Sequence, residues 1–216
     1  MERLELERVW RMNALAIDTS VGVSVAILRS SGEVTQSQTI DHGMQGELTA
    51  ELISRVVSDS GLKIEEITDV VVGVGPGPFT GLRVGIVTAA VFAHARNISI
   101  HGICSLDAIA FDYANPCVVV TDARRKELYW ARYDGDRIGE PQVSKPEVIA
   151  SQFPDLKFVG PGAQLYPDFI SGSVMELKAG SLAKLFASGS AQLVDVLPMY
   201  LRKPDAVDPT IRKSVL

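Results

Sequence analysis

Three stretches of this 216-residue sequence hold residue types that could do chemistry. The first is "GVGPGPFTGLRVG", Gly73 to Gly85, a glycine- and proline-rich run that passes straight into apolar sequence. A Walker loop needs Gly-x4-Gly-Lys-Ser/Thr, so that a lysine reaches the β and γ phosphates. Here Gly75 and Gly81 stand one residue too far apart, and Leu82 and Arg83 occupy the places of lysine and serine or threonine. A dinucleotide fingerprint needs a third glycine where Thr80 sits. Two readings remain. Free N–H groups around Gly75, Gly77 and Thr80 can bind an anion, or the run is a tight turn that sets the angle of the next helix, which is the plainer reading.

The second stretch, "TDARRKELYWARY", places Asp122, Arg124, Arg125 and Lys126 ahead of Tyr129, Trp130 and Tyr133. Adjacent arginines after a strand suit a phosphate or a partner carboxylate; a solvated turn is the alternative. The third is Asp18-Thr19-Ser20, which closes the apolar run "NALAIDTS". Metal and nucleophile chemistry are poorly supported. Of the three histidines, His42 reads as a cap beside Asp41 and His94 as a helix-end core residue; no His-x3-His, His-Glu-x-x-His or Cys-x-x-Cys occurs. The Gly-x-Ser-x-Gly elbow of serine hydrolases is missing as well. No catalytic residue and no metal ligand is assigned.

The elements that must position these stretches follow from periodicity. "NALAIDTS", "GVSVAILRSSGEV" and "TQSQTI" read as a three-strand antiparallel meander turning at Ser30-Ser31-Gly32-Glu33. A helix from Met44 to Ser58 puts Leu48, Leu52, Ile53, Val56 and Val57 on one face, pairs Glu51 with Arg55, and stops at Gly61. "DVVVGVG" is a buried strand, a helix runs from Thr80 to Asn97, and "SIHGIC" is a further strand. Ser105 is placed as N-cap of a helix over "SLDAIAFDYA". Strand pattern then restarts at "PCVVVTDARRKELYWARYDG", with "PEVIASQF", "KFVGPGA", "SLAKLFASG" and "VLPMYLR" as helix, strand, helix and closing segment.

This order predicts an α/β protein of two actin/hexokinase/Hsp70-like (ASKHA) lobes, each a mixed sheet with helices. A Rossmann-like sheet would not open with a meander. The boundaries are residues 1–11 as a flexible N-terminal extension or an early start codon, 12–104 as the first lobe, and 105–216 as the second, whose C-terminal segment can return to the first. Asp18 stands where proteins of this fold place a carboxylate near a nucleotide's metal. Thr19, Ser20 and Val21 follow it, with glycine only at Gly22, so Asp18, Thr19, Ser20, Gly75, Gly77 and Thr80 read as a vestigial nucleotide or anion site.

The helix after the glycine-proline loop is apolar almost all round, so something must cover both its sides. Gly81, Gly85, Ala89 and Ala93 recur every four residues as a ridge without side-chain bulk, which lets another helix backbone come close. Either the preceding helix covers that ridge or a second subunit does, and the pattern favours the subunit. Composition narrows the partner: with 21 basic and 26 acidic residues the net charge is −5, which argues against this chain being the main grip on RNA. Cys104 and Cys117 lie in apolar sequence and read as reduced core residues. No membrane-length apolar run and no signal-peptide core appear, so a soluble cytoplasmic protein is expected.

"LAIDTS", "GPGPFTGLRVG", "SLDAIA", "DARRKELYWARY" and "LPMYLR", in this order from Met12 to about Arg202, resemble the TsaB (YeaZ) family. The family's usual His-Ser-Glu near the first helix stands here as "HGMQGEL". The resemblance implies two actin-like lobes and an inactive paralogue of the metal-dependent catalytic subunit TsaD. It implies a non-catalytic scaffold that binds and activates a TsaD-type subunit for threonylcarbamoyl transfer to the adenosine beside the anticodon of tRNA (t6A). Contact with the partner would run through the first-lobe helices and residues Leu48, Leu52, Gly81, Gly85, Ala89, Phe92 and Ala93. Arg124 and Arg125 would meet RNA or the partner. A TsaE-type ATPase joins such assemblies, tRNA is met indirectly, ATP and metal sit on partner subunits, and a homodimer forms when the partner is absent. The competing reading is an enzyme, either an ATP-binding actin-like phosphotransferase or a peptidase.

Overall fold

The computed structural model describes residues 12–39 and 45–202; the readings of residues 1–11 and of His42 lie outside the described residues. Eleven strands in this part of the chain form two mixed sheets built on one plan. In the first, β1 (Ala14–Asp18), β2 (Val23–Leu28) and β3 (Val34–Thr39) form an antiparallel meander, while β4 (Asp69–Gly73) and β5 (Ser99–Ile103) extend it in parallel from the other side of β1. In the second, β6 (Cys117–Asp122), β7 (Leu128–Asp134) and β8 (Asp136–Ser144) repeat the meander. Then β9 (Lys157–Val159) and β10 (Gly172–Ser173) repeat the parallel extension. The orders β5-β4-β1-β2-β3 and β10-β9-β6-β7-β8 therefore coincide, and each central strand ends in an aspartate, Asp18 and Asp122. This is the duplicated ASKHA-like architecture that the element order predicted.

β1 is buried along its whole length because helices cover both faces of its sheet. Side chains alternate across the strand. Leu15 and Ile17, with Val70 and Val72, join a cluster with Leu52 and Val56 of α1 (Gln45–Ser60) and Leu82 and Ile86 of α2 (Phe79–Arg96). Ala14, Ala16 and Val71 face the other way, onto Leu182 and Ala183 of α5 (Ala179–Ala187). Thus α5 crosses back from beyond the second sheet, and β11 (Leu193–Val194) adds to β5 at the first sheet's edge. Between the sheets, α3 (Ser105–Tyr113) packs Leu106 and Ile109 with Val119, Ala131 and both cysteines, which are free and buried. A short helix, α4 (Pro146–Gln152), sends Ile149 into the core of the second sheet.

Two helix boundaries differ slightly from the sequence reading. α1 continues to Ser60, and α2 begins at Phe79 and ends at Arg96, with Asn97 as a left-handed C-cap at φ 52°. The predicted Glu51–Arg55 pair forms at 2.7 Å, and Gly61, at φ +68°, follows α1 as expected. Among the described residues no helix is long and apolar enough to cross a membrane.

Candidate functional site

The Asp18-Thr19-Ser20 turn and the Gly73–Gly85 loop meet, and their contact fixes what each can do. Asp18 is 1% exposed and its carboxylate accepts three hydrogen bonds from the chain itself. One oxygen accepts from the Ser20 N–H at 2.8 Å and the Ser20 hydroxyl at 2.6 Å; the other accepts from the Ser105 hydroxyl at 2.6 Å. Ser105 in turn accepts from the Gly75 N–H at 3.0 Å, while its own N–H donates to the Gly75 carbonyl at 2.8 Å. Ser105 is therefore not the N-cap expected of it. It is the first residue of α3, and its hydroxyl bolts Asp18 to the glycine-proline loop. Burial lifts the Asp18 carboxyl above the usual carboxylate range, although these hydrogen bonds pull the other way.

Glycine is required at Gly73 because a Cβ there would coincide with the Asp18 carboxylate. At Gly77 a Cβ would come within 2.9 Å of the Ser20 Cα. The loop is pressed onto the Asp18 turn rather than held open around a ligand. Asp18 borders a cavity of about 110 Å³, lined also by Val21, Gly22, Gln38, Pro161 and Leu177, and bridged where Gln38 donates to Glu176 at 2.7 Å. Sites for nucleotide-sized ligands usually enclose roughly 300–1,000 Å³. The Asp18, Thr19, Ser20, Gly75 and Gly77 brought together here do not fit a nucleoside triphosphate, and Thr80 lies exposed on the outer side of α2.

The small-residue ridge also turns inward. Thr19 donates its hydroxyl to the Gly81 carbonyl at 2.8 Å, and a Cβ on Gly81 would stand 2.7 Å from the Thr19 carbonyl oxygen. Gly85 abuts the Thr19 side chain. Leu52, Gly81, Gly85, Ala89 and Ala93 are all buried within the chain, and Leu48 and Phe92 are half-buried against the same core. The close approach read from the ridge exists, and at Gly81 and Gly85 it is made by the Asp18 turn of the same chain.

The opposite side of α2 is open. Two positions, or about 200°, from the ridge, Phe79, Arg83, Val87, Val91 and Ala95 recur every four residues and are all exposed, Val87 by 59% and Val91 by 63%. Tyr200 stacks on Phe79 at 4.8 Å between ring centroids, extending this strip beyond the helix start. Neither Phe79 nor Tyr200 stood out in the sequence. The signal that could have found the strip is the second four-residue period inside the same helix.

The remaining readings fall elsewhere. Arg124, Arg125 and Lys126 form the exposed β6–β7 turn, all three at positive φ, with the Arg124 N–H donating to Asp122 at 2.8 Å. Arg202 ties the C-terminal segment to that turn through the Arg124 carbonyl and Glu127. His94 is exposed in the last turn of α2, not in the core. His101 lies 3.0 Å from Asp69 and packs on the Phe186 ring. Among the described residues no three His, Cys, Asp or Glu side chains are grouped so as to hold a metal ion. Sequence reading also missed a buried ion pair, in which Arg137 Nη1 reaches both Asp107 oxygens at 3.1 and 3.2 Å and the Tyr133 hydroxyl donates to Asp107 at 2.7 Å. These three residues, with Phe111 and Gln192, border a cavity of about 590 Å³.

Known proteins supply the context. The family model described as "TsaD: tRNA N6-adenosine threonylcarbamoyltransferase" matches residues 46–206. An uncharacterized protein of Mycobacterium leprae is 38% identical over 89% of this chain, which spans 55% of that longer relative. The Escherichia coli "tRNA threonylcarbamoyladenosine biosynthesis protein TsaB" is 27% identical over 88% of this chain and 95% of its own. A solved structure described as "YeaZ from Pseudomonas aeruginosa" superposes with a TM-score of 0.73 at 23% identity, covering 88% of this chain and all of that one. Matched by that family model over most of its length, and aligned nearly end to end with TsaB and YeaZ chains, the protein belongs to the TsaB (YeaZ) family.

Proposed function

We propose that this chain is a non-catalytic subunit of a tRNA threonylcarbamoyladenosine-forming assembly, which docks on a TsaD-type catalytic subunit and activates it. The observation that carries this reading is the exposed strip Phe79-Arg83-Val87-Val91-Ala95. Its five positions span 16 residues from the first of them, about 24 Å of helix at 1.5 Å per residue. A strip of this length, apolar at every position but Arg83, suits burial against another protein. Asp18 supports the non-catalytic half of the proposal, because it is buried and both its oxygens are engaged by Ser20 and Ser105, which leaves it poorly placed to ligate a metal ion. ATP and metal would then be supplied by the catalytic subunit and a TsaE-type ATPase. In the absence of the catalytic partner the same strip would pair two copies of the chain. The net charge of −5 supports an indirect relation to tRNA, with Arg124 and Arg125 of the exposed β6–β7 turn as the basic residues that would meet RNA or the partner.

The test is an omission assay with tRNA, a supply of threonylcarbamoyl-adenylate, the catalytic subunit and the ATPase, run with and without this chain. Modification is expected to collapse on omission, and the chain alone is expected to modify nothing. Undiminished modification without it would overturn the proposal.

A further inference from the structure

Arg83 is the one charged side chain on the exposed strip of α2, and it is held in a way that ordinary surface arginines are not. Its guanidinium carbon lies 3.9 Å from the centroid of the Phe79 ring and 5.9 Å from that of Tyr200. Its Nε donates to the Tyr200 hydroxyl at 2.8 Å. Tyr200 is itself positioned, since the adjacent Met199 N–H donates to the Val74 carbonyl at 2.8 Å, where β4 leaves the sheet. Stacking and one hydrogen bond thus fix the plane of the guanidinium, with both terminal nitrogens making no hydrogen bond or ion pair among the described residues. A free arginine loses much rotamer freedom when it binds; one already fixed loses less.

We propose that Arg83, clamped by Phe79 and Tyr200, is the specificity contact of the α2 face and takes an aspartate or glutamate carboxylate of the protein that docks there. This rests on the docking reading above. With Nε engaged by Tyr200, the terminal edge of the planar fork, Nη1 and Nη2, matches a carboxylate bidentately. A phosphate of RNA offers the same oxygens, but a nucleic-acid backbone brings no apolar surface for Val87, Val91 and Ala95, and the acidic chain repels a polyanion. The occupant is therefore a protein that pairs apolar side chains with one acid, one helical turn from the contact of Val87.

The experiment titrates the full chain into the purified TsaD-type subunit by calorimetry, using wild type, Arg83→Lys, Arg83→Gln, Tyr200→Phe and Val87→Asp. Thermal melts confirm that each variant is folded. Arg83→Lys and Arg83→Gln are each expected to weaken binding about tenfold or more, because lysine keeps the charge but not the fork. Tyr200→Phe keeps the ring and loses the hydroxyl, and is expected to weaken binding by less. If Val87→Asp abolishes binding while both Arg83 variants bind as wild type, the carboxylate contact falls and the docking face stands. If every variant binds as wild type, both fall. Arg83→Lys binding as wild type while Arg83→Gln weakens would leave a point charge and overturn the bidentate assignment. Loss of affinity for tRNA alone, with protein binding intact, would reassign Arg83 to RNA and overturn the proposal.

Discussion

Gly85 of α2 lies directly against the side chain of Thr19, with no room between them for a methyl group. In an exposed helix interior, Gly→Ala gains about 1 kcal/mol from helix propensity. Here the added carbon meets a β-branched residue that is fully buried and hydrogen-bonded to Gly81, so it cannot swing away. Overpacking of this kind costs about 1–3 kcal/mol. Gly85→Ala is therefore expected to lower stability by up to about 2 kcal/mol net, read as a lower urea midpoint. Gly85→Leu is expected to prevent folding rather than to break a subunit contact. Adding Thr19→Ala to Gly85→Ala should recover part of the loss, and strictly additive effects would show that the two residues do not touch.

On the opposite face the expectation reverses. Val87→Asp and Val91→Asp change exposed side chains, and surface changes of this kind usually stay within about ±0.5 kcal/mol. Both variants should melt like wild type and fail to co-elute with the TsaD-type subunit in gel filtration with light scattering. Co-elution at wild-type affinity would remove the docking face. Ala89→Asp is the contrast: it buries a charge in the first-sheet core and is expected to unfold the chain.

These two faces mark how far the sequence could be read. The four-residue recurrence of Gly81, Gly85, Ala89 and Ala93 reported close packing correctly, but periodicity along one helix cannot say whose backbone comes close. That depends on the Asp18 turn, 62 residues away from Gly81 along the chain at Thr19. The central strands were legible because β1, β2, β4 and β6 are nearly continuous apolar runs. β8 was not, since an edge strand exposed at Asp136, Gly139 and Glu140 and carrying Pro141 shows no alternation. Ser105 was read as a local cap because serine at a helix start suggests one; its partner Asp18 is 87 residues away.

Asp18 makes a prediction about pH. Burial raises its folded-state pKa above the ordinary 3.8, so the folded state holds its proton more tightly than the unfolded state does. Stability contributed by this group is thus present below the unfolded pKa and lost as pH rises through the folded one. Asp18→Asn stays neutral, can accept both Ser20 bonds, and can donate to Ser105. Its stability relative to wild type is expected to improve as pH rises from the usual carboxylate value, in urea titrations between pH 4 and 7. Modification activity should be unchanged, because the carboxylate holds no metal-bound phosphate. A flat difference across pH, or loss of modification in a folded variant, would contradict this account.

The ion pair of Asp107 and Arg137 is little exposed, with side-chain exposures of 8% and 3%, although it borders the cavity of about 590 Å³. Burial raises the Asp107 carboxyl above its usual range, while the Arg137 charge and the Tyr133 hydroxyl lower it. Arg137→Met removes the compensating charge and leaves a buried carboxylate, a loss that typically costs about 3–5 kcal/mol. The remaining Asp107 then has a still higher folded-state pKa, so the deficit must grow as pH rises and shrink where Asp107 is protonated. Urea denaturation at pH 5 and pH 7.5 reads both the size and the sign. Adding Asp107→Asn removes the stranded charge and is expected to restore part of the stability and to abolish most of the pH dependence. A loss below about 1 kcal/mol, or one equal at both pH values, would mean that solvent reaches the pair and that it is no more than a surface salt bridge.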